Sequence, residues 1–155
     1  MTTSTDGGRP RTRSVDATWE GGYRCRVQAG RFEIRVDEPV SSGGSDTGPQ
    51  PTEVFLASFA SCFALAIAHV ARKRDIHLED LAVKATGTYD GPKFVNIRLD
   101  ITSSHDRPEL EKLVERAKGV CYVSNTLRVL DDTEVVITDA VTDDTDDAAP
   151  RQPPR

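Results

Sequence analysis

Eighteen consecutive residues, Val54 to Ala71, carry no Asp, Glu, Lys or Arg in a chain that is otherwise rich in charge. A stretch of this length is about long enough to cross a bilayer as a helix. It is nevertheless rich in Ala, is interrupted by Ser58, Ser61 and His69, and stands alone in a polar chain. It therefore reads as a helix buried in protein on nearly all sides, not as a membrane span. The flanks agree with a helix. Pro51 suits the first turn, Thr52 is the candidate cap, and Glu53 meets the positive end of the helix dipole. Arg72-Lys73-Arg74 meets the negative end.

The rest of the pattern supplies what must cover this helix. Ala17 to Glu20 reads as a short strand and Gly21-Gly22 as a turn. Tyr23, Cys25 and Val27 alternate with Arg24, Arg26 and Gln28, and Phe32, Ile34 and Val36 alternate with Glu33, Arg35 and Asp37, which makes two half-buried strands. A Gly/Ser/Asp/Pro loop, Ser41 to Gln50, leads to the apolar helix. Leu81 to Tyr89 and Phe94 to Thr102 form a hairpin about Asp90-Gly91-Pro92-Lys93. Asp106 caps a second helix whose apolar positions Leu110, Leu113, Val114 and Ala117 have helical spacing. A short third helix starts near Val120 or Cys121, and Thr133 to Thr138 is a last strand. Hairpins dominate and βαβ repeats are missing, so the class is α+β with antiparallel sheets. Six short strands cannot cover so apolar a helix, and a homodimer that buries it is the simplest remedy.

Several functions are excluded at this level. The 155 residues suit one domain, expected over 15–139, between a tail at 1–14 and an acidic, Pro-rich tail at 140–155 that both read as disordered. The net charge is −5 and the basic residues are scattered, so there is no nucleic-acid footprint. No apolar leader opens the chain, which points to the cytoplasm and to no membrane partner. Three cysteines without a CxxC pair make neither a disulfide scaffold nor a structural zinc site. His69, His77 and His105 share no ligand spacing with each other or with the cysteines, so no metal and no cofactor is expected.

Chemistry then rests on sulfur. Cys25 alternates inward with Tyr23 and Val27 and reads as packing. Cys62 sits in mid-helix, where the dipole gives a thiolate little help, and taken alone it reads as a small apolar residue. Cys121 follows Gly119, a break between helices. A place in the first turn of the next helix lowers a thiol's pKa. It reads equally as a thiol that resolves an oxidised partner or as a surface cysteine without a role. A thiol hydrolase would need a histidine beside Cys62. His69 lies two turns on, about 10 Å along the axis, too far for a hydrogen bond.

Taken together, Gly43 to Glu53, Ala57 to Cys62 and Val120-Cys121-Tyr122-Val123-Ser124-Asn125 resemble the motifs of the OsmC/Ohr family, the osmotically induced and organic hydroperoxide resistance proteins. The resemblance covers about residues 15–138 and includes the order of elements. It implies an intertwined homodimer with antiparallel sheets wrapped around long central helices, and active sites at the interface. It also implies thiol peroxidase chemistry on organic hydroperoxides in oxidative-stress defence. Cys62 would be the peroxidatic cysteine and Cys121 the resolving one. Arg24, or Arg26 on the same strand face, would supply the activating guanidinium, and Glu53 would orient it. A dithiol, in the family a lipoylated protein or another small dithiol, would reset the disulfide. Phe55, Phe59 and Phe63 would line a pocket for the alkyl group, or pack the core. One departure stands out. The peroxidase members carry their glutamate directly after the proline of this motif, where this chain has Thr52. One residue is roughly 100° around a helix. That departure points to the broader OsmC-like branch, and to a second reading as a stress-associated dimer with little peroxidase turnover.

Overall fold

A computed structural model describes residues 12–128. The elements are β1 (Asp16–Trp19), β2 (Cys25–Ala29), β3 (Phe32–Val36), a 3-10 turn at Val40–Ser42, α1 (Pro51–Arg72), β4 (Ala82–Asp90), β5 (Lys93–Thr102), α2 (Arg107–Lys118) and α3 (Tyr122–Leu127). The chain is thus α+β with antiparallel sheets, as the alternation predicts. β1-β2-β3 form one meander with Trp19 opposite Cys25 and Val27 opposite Ile34. β4 and β5 form a separate hairpin. The expected strand at 133–138 and nearly all of both expected tails lie outside the described residues.

The link from β3 to α1 is built around one carboxylate. Asp37 is completely buried. Its Oδ1 accepts the Glu38 amide at 2.8 Å, and its Oδ2 accepts the Ser45 amide, the Thr47 amide and the Thr47 hydroxyl at 3.1, 3.1 and 2.8 Å. Burial alone would push this carboxyl up. The Thr47 hydroxyl and the Thr47, Glu38 and Ser45 amides outweigh it and hold the group below the usual carboxylate value. The loop must fold back tightly to make these bonds. A Cβ at Gly44 would collide with the Glu38 backbone, and one at Gly48 with the Arg35 carbonyl, so both positions need glycine. The Asp37 amide then donates to the Pro49 carbonyl at 3.2 Å, which delivers Gln50 and Pro51 to the start of α1.

Gln50, not Thr52, caps α1, and Pro51 occupies its first position. The Glu53 carboxylate reaches back to the Gln50 amide at 2.8 Å, one half of a capping box, and satisfies a donor that the helix start leaves orphaned. Ser58 and Ser61 hide their hydroxyls by donating to the Phe55 and Ala57 carbonyls at 2.7 Å each, which lets polar residues ride in an apolar helix. On α2, the Asp106 carboxylate accepts the Glu109 amide at 3.3 Å as its cap. Leu113 and Ala117 face inward from that helix.

The core lies where α1 meets α2, α3 and β4. Phe63, Ala66, Ile67, Val70 and Ala71 of α1 pack with Leu113, Ala117 and Cys121, and Val83, Leu99 and Ile101 of the hairpin close over them. As the shortage of covering strands predicts, one chain leaves part of α1 bare. In a single chain only those five of its residues are buried, while Leu65 is 70% exposed. The physical reason is the placing of the first sheet. β1-β2-β3 make no extensive contact with α1 and leave Trp19 and Phe32 exposed as well. The helix is long and apolar enough to cross a membrane by length and composition, yet its best-packed face is committed to protein.

Asp37 gives a testable consequence. Because its folded pKa is depressed, its contribution to stability is complete above the ordinary carboxylate value of 3.8 and is lost as the pH falls through the lower folded value. Asp37→Asn should lower the thermal midpoint at neutral pH. The gap to wild type should shrink as acid protonates Asp37 in the parent protein, and a gap independent of pH would contradict this role.

Candidate active site

Cys62 lies in the fourth turn of α1, half-buried, on the face that looks toward the α2–α3 junction. It opens onto a cleft of about 600 Å³ bordered by Leu65, Ala66, His69, Gly119, Val120, Tyr122 and Asn125. The walls are mainly apolar, with His69 and Asn125 as the polar groups. His69 follows Cys62 by two helical turns, so both residues border the same cleft.

Cys121 is brought to this point by the end of α2. After Lys118 the chain turns at Gly119, and the amides of Val120 and Cys121 both donate to the Ala117 carbonyl, at 3.0 and 2.9 Å. Cys121 becomes the cap residue of α3 with an extended backbone. Its side chain is completely buried against α1. The Cys121 thiol donates to Cys62 Sγ at 3.5 Å. Two side chains 59 residues apart in sequence are thus in direct contact.

The electrostatics of Cys121 differ from the sequence expectation. The Ser124 and Val123 amides at the start of α3 do favour the thiolate, as a helix N-terminus should. Burial outweighs them, the adjacent Cys62 sulfur adds to it, and the thiol is pushed up. Nor is Cys121 a surface cysteine. It is a buried thiol that keeps its proton at neutral pH and points it at Cys62.

The other expected site residues are not gathered here within one chain. Arg24 reaches the Glu20 carbonyl at 3.5 Å, and Arg26 pairs with the Glu20 carboxylate at 3.0 Å. Neither borders the Cys62 cleft. Glu53 is occupied on the Gln50 amide, nine residues and about 13 Å along the helix from Cys62. Phe63 is core, only 4% exposed. Phe55 stacks on Phe94 with ring centroids 6.1 Å apart, and Phe59 faces the β5 side of the molecule beside Phe94 and Ile97. Leu65, Val120 and Tyr122 supply the apolar walls beside Cys62 instead. Among the described residues no group of three or more His, Cys, Asp or Glu is arranged to hold a metal ion.

Sequence reasoning gave Asn125 only a general polarity and missed Arg128. The Asn125 amide donates to the Gly119 carbonyl at 3.1 Å, and Arg128 donates to Asn125 Oδ1 at 2.6 Å. The signal was their spacing of three, which puts both side chains on one face of a helix.

Comparison with known proteins agrees with this geometry. A family model described as OsmC-like protein matches residues 43–135. The organic hydroperoxide resistance protein OhrB of Bacillus subtilis is 27% identical over 122 residues, which span 74% of this chain and 90% of that protein. An organic hydroperoxide resistance protein of Xanthomonas axonopodis is 28% identical over 123 residues, 74% and 87% of the two chains. Among solved structures, an organic hydroperoxide resistance protein OsmC from Legionella pneumophila superposes with a TM-score of 0.60 at 27% identity, covering 79% of this chain and 93% of that one. An osmotic stress induced and detoxification response protein from Psychrobacter arcticus gives 0.65 at 22% identity, over 77% and 90%, and shows the shared fold. With more than half of its length matched and a sulfur pair where two of the family motifs converge, the chain belongs to the OsmC-like protein family.

Proposed function

We propose that this protein is a homodimeric, cysteine-dependent peroxidase that reduces organic hydroperoxides to alcohols. The observation that carries the reading is the direct contact of Cys121 with Cys62 at the base of an apolar cleft. Relatives named as organic hydroperoxide resistance proteins, 27% and 28% identical, support it. In this reading the Cys62 thiolate attacks the terminal peroxide oxygen. The O–O bond breaks, the alkoxide leaves and takes a proton as the alcohol, and sulfur is oxidised by two electrons to sulfenic acid. Cys121 then attacks that sulfur, an S–S bond forms, the S–O bond breaks, and the Cys121 proton leaves with the hydroxide as water. An external dithiol, such as a lipoylated protein, becomes oxidised as it reduces the disulfide. Such a cycle suits the cytoplasm, where dithiols stay reduced.

The activating guanidinium must come from elsewhere in the assembly. The first sheet stands off α1 of its own chain, and the bare face of α1 around Leu65 needs a partner. Both needs are met if a second copy lays its β2 strand over this cleft and brings Arg24, or Arg26, to Cys62. A guanidinium is always charged and favours a neighbouring thiolate. Glu53 stands about 13 Å along α1 from Cys62 of its own chain, with one carboxylate oxygen on the Gln50 amide. The carboxylate that orients that arginine would therefore be Glu53 of the second copy, through its other oxygen. The alkyl group of the substrate would lie among Leu65, Val120 and Tyr122, with Phe55 and Phe59 extending the apolar surface.

A second reading has its own observation. No guanidinium among the described residues borders the cleft, and Glu53 serves as part of a helix cap. An OsmC-like dimer with little or no turnover would look like this within one chain.

Turnover separates the two. Purified protein should consume cumene hydroperoxide in the presence of a dithiol, Cys62→Ser should fall to the background rate, and Cys121→Ser should stop after about one equivalent unless the dithiol attacks the sulfenic acid directly. Undiminished activity in Cys62→Ser would contradict the peroxidase reading. The shared site predicts complementation. Co-expressed Arg24→Ala and Cys62→Ser chains, each inactive alone, should recover on the order of a quarter of wild-type activity, because about half of random dimers are mixed and each holds one intact site of two. No recovery would place the arginine on the same chain as the cysteine it serves.

A further inference from the structure

We propose that Asn125 and Arg128 form a clamp across the α2–α3 junction that holds Cys121 in position to close on oxidised Cys62. The inference rests on reading Cys121 as the resolving thiol, and it adds two positioning residues to that reading. Cys121 lies in a three-residue link, Gly119 to Cys121, between the end of α2 and the start of α3. Its backbone is pinned at both atoms. The amide donates to the Ala117 carbonyl at 2.9 Å, and the carbonyl accepts the Asn125 amide at 3.0 Å.

Side chains close the other side of the link. Asn125 Nδ2 donates to the Gly119 carbonyl at 3.1 Å. Arg128 Nη2 donates to the Lys118 carbonyl at 3.2 Å and to Asn125 Oδ1 at 2.6 Å, and its Nε donates to the Ser124 carbonyl at 3.3 Å. One guanidinium therefore ties the last residue of α2 to α3, with Cys121 between the two anchor points. Lys118 and Gly119 carry carbonyls that the end of α2 leaves without helical partners, and a cation near them also meets the negative end of that helix. The clamp thus gives these exposed carbonyls protein partners in place of water, on either side of Cys121.

Positioning matters because the sulfurs start at 3.5 Å and a disulfide needs about 2.05 Å. Cys121 must advance about 1.5 Å along one line, and α3 must not rotate away meanwhile. A clamp that only stabilised the fold would, when removed, slow every step together. A positioning clamp, when removed, slows closure alone.

The test uses no peroxide, so it stands apart from the question of turnover. In a Cys25→Ser background, the aromatic disulfide dithiobis-nitrobenzoate is added to reduced protein. Cys62, facing the cleft, attacks it and releases one coloured thiolate. Cys121 then attacks the mixed disulfide, the protein disulfide forms, and a second thiolate is released. Cys121→Ser should give the first release only. Arg128→Ala should leave the first release at the parent rate and slow the second by about tenfold or more, and Asn125→Ala, which also alters the cleft wall, should slow the second release by a larger factor than the first. Arg128→Lys, which keeps a donor for the Lys118 carbonyl, should regain part of that loss. Should Arg128→Ala not fold, Asn125→Asp carries the test, since it removes the donor to Gly119 and keeps the acceptor for Arg128. A second release at the parent rate in these variants, or both releases slowed by the same factor, would overturn the clamp.

Discussion

The contact between α1 and the α2–α3 junction is the interaction on which everything else in this chain depends. Ile67, Leu113 and Ala117 are completely or almost completely buried there, and burying a side chain the size of Ile or Leu is worth about 1.5–3 kcal/mol. Cys121 is part of that same contact and Cys62 borders it. The packing that holds the domain together is therefore also what holds two sulfurs in touch. Close-packed interiors resist small displacements, so the distance between the sulfurs is set by core packing and not by a mobile loop. The same burial keeps Cys121 protonated, which suits a thiol that must wait for its partner to be oxidised.

What the single chain lacks follows the same logic. Covering α1 would take more apolar surface than β4, β5 and α2 provide, and the first sheet is placed away from it with Trp19 and Phe32 exposed. The Asp37 knot fixes how that sheet joins the start of α1, through four hydrogen bonds to one buried carboxylate. The Asp37 bonds thus fix the sheet's link to α1, and its place away from Cys62 of its own chain is what motivates a site completed by a second copy.

Much of this was legible in the sequence because it was local. Alternation along 23–27 and 32–36, Asp106 before Pro108, and the helical spacing of Leu110, Leu113, Val114 and Ala117 each encode an element within a few residues. The cap of α1 was missed because Glu53 reaches back to Gln50, a backbone choice that Thr52 made equally plausible. The state of Cys121 was misjudged because a helix start predicts a lowered thiol pKa, whereas burial is a property of the packed molecule and only three-dimensional contact reveals it. That one chain leaves part of α1 bare was legible from the length of its apolar run against so few short strands. Apolarity shows that a face must be covered, but not which chain covers it.

The central claim is that Cys62 and Cys121 are a working redox pair. It is tested most directly by treating reduced protein with one equivalent of an alkyl hydroperoxide and mapping its cysteines by mass spectrometry of peptides. The account predicts a Cys62–Cys121 disulfide with Cys25 left as the thiol. Recovery of both cysteines as free thiols, or of Cys62 oxidised and unpaired while Cys121 stays reduced, would contradict it.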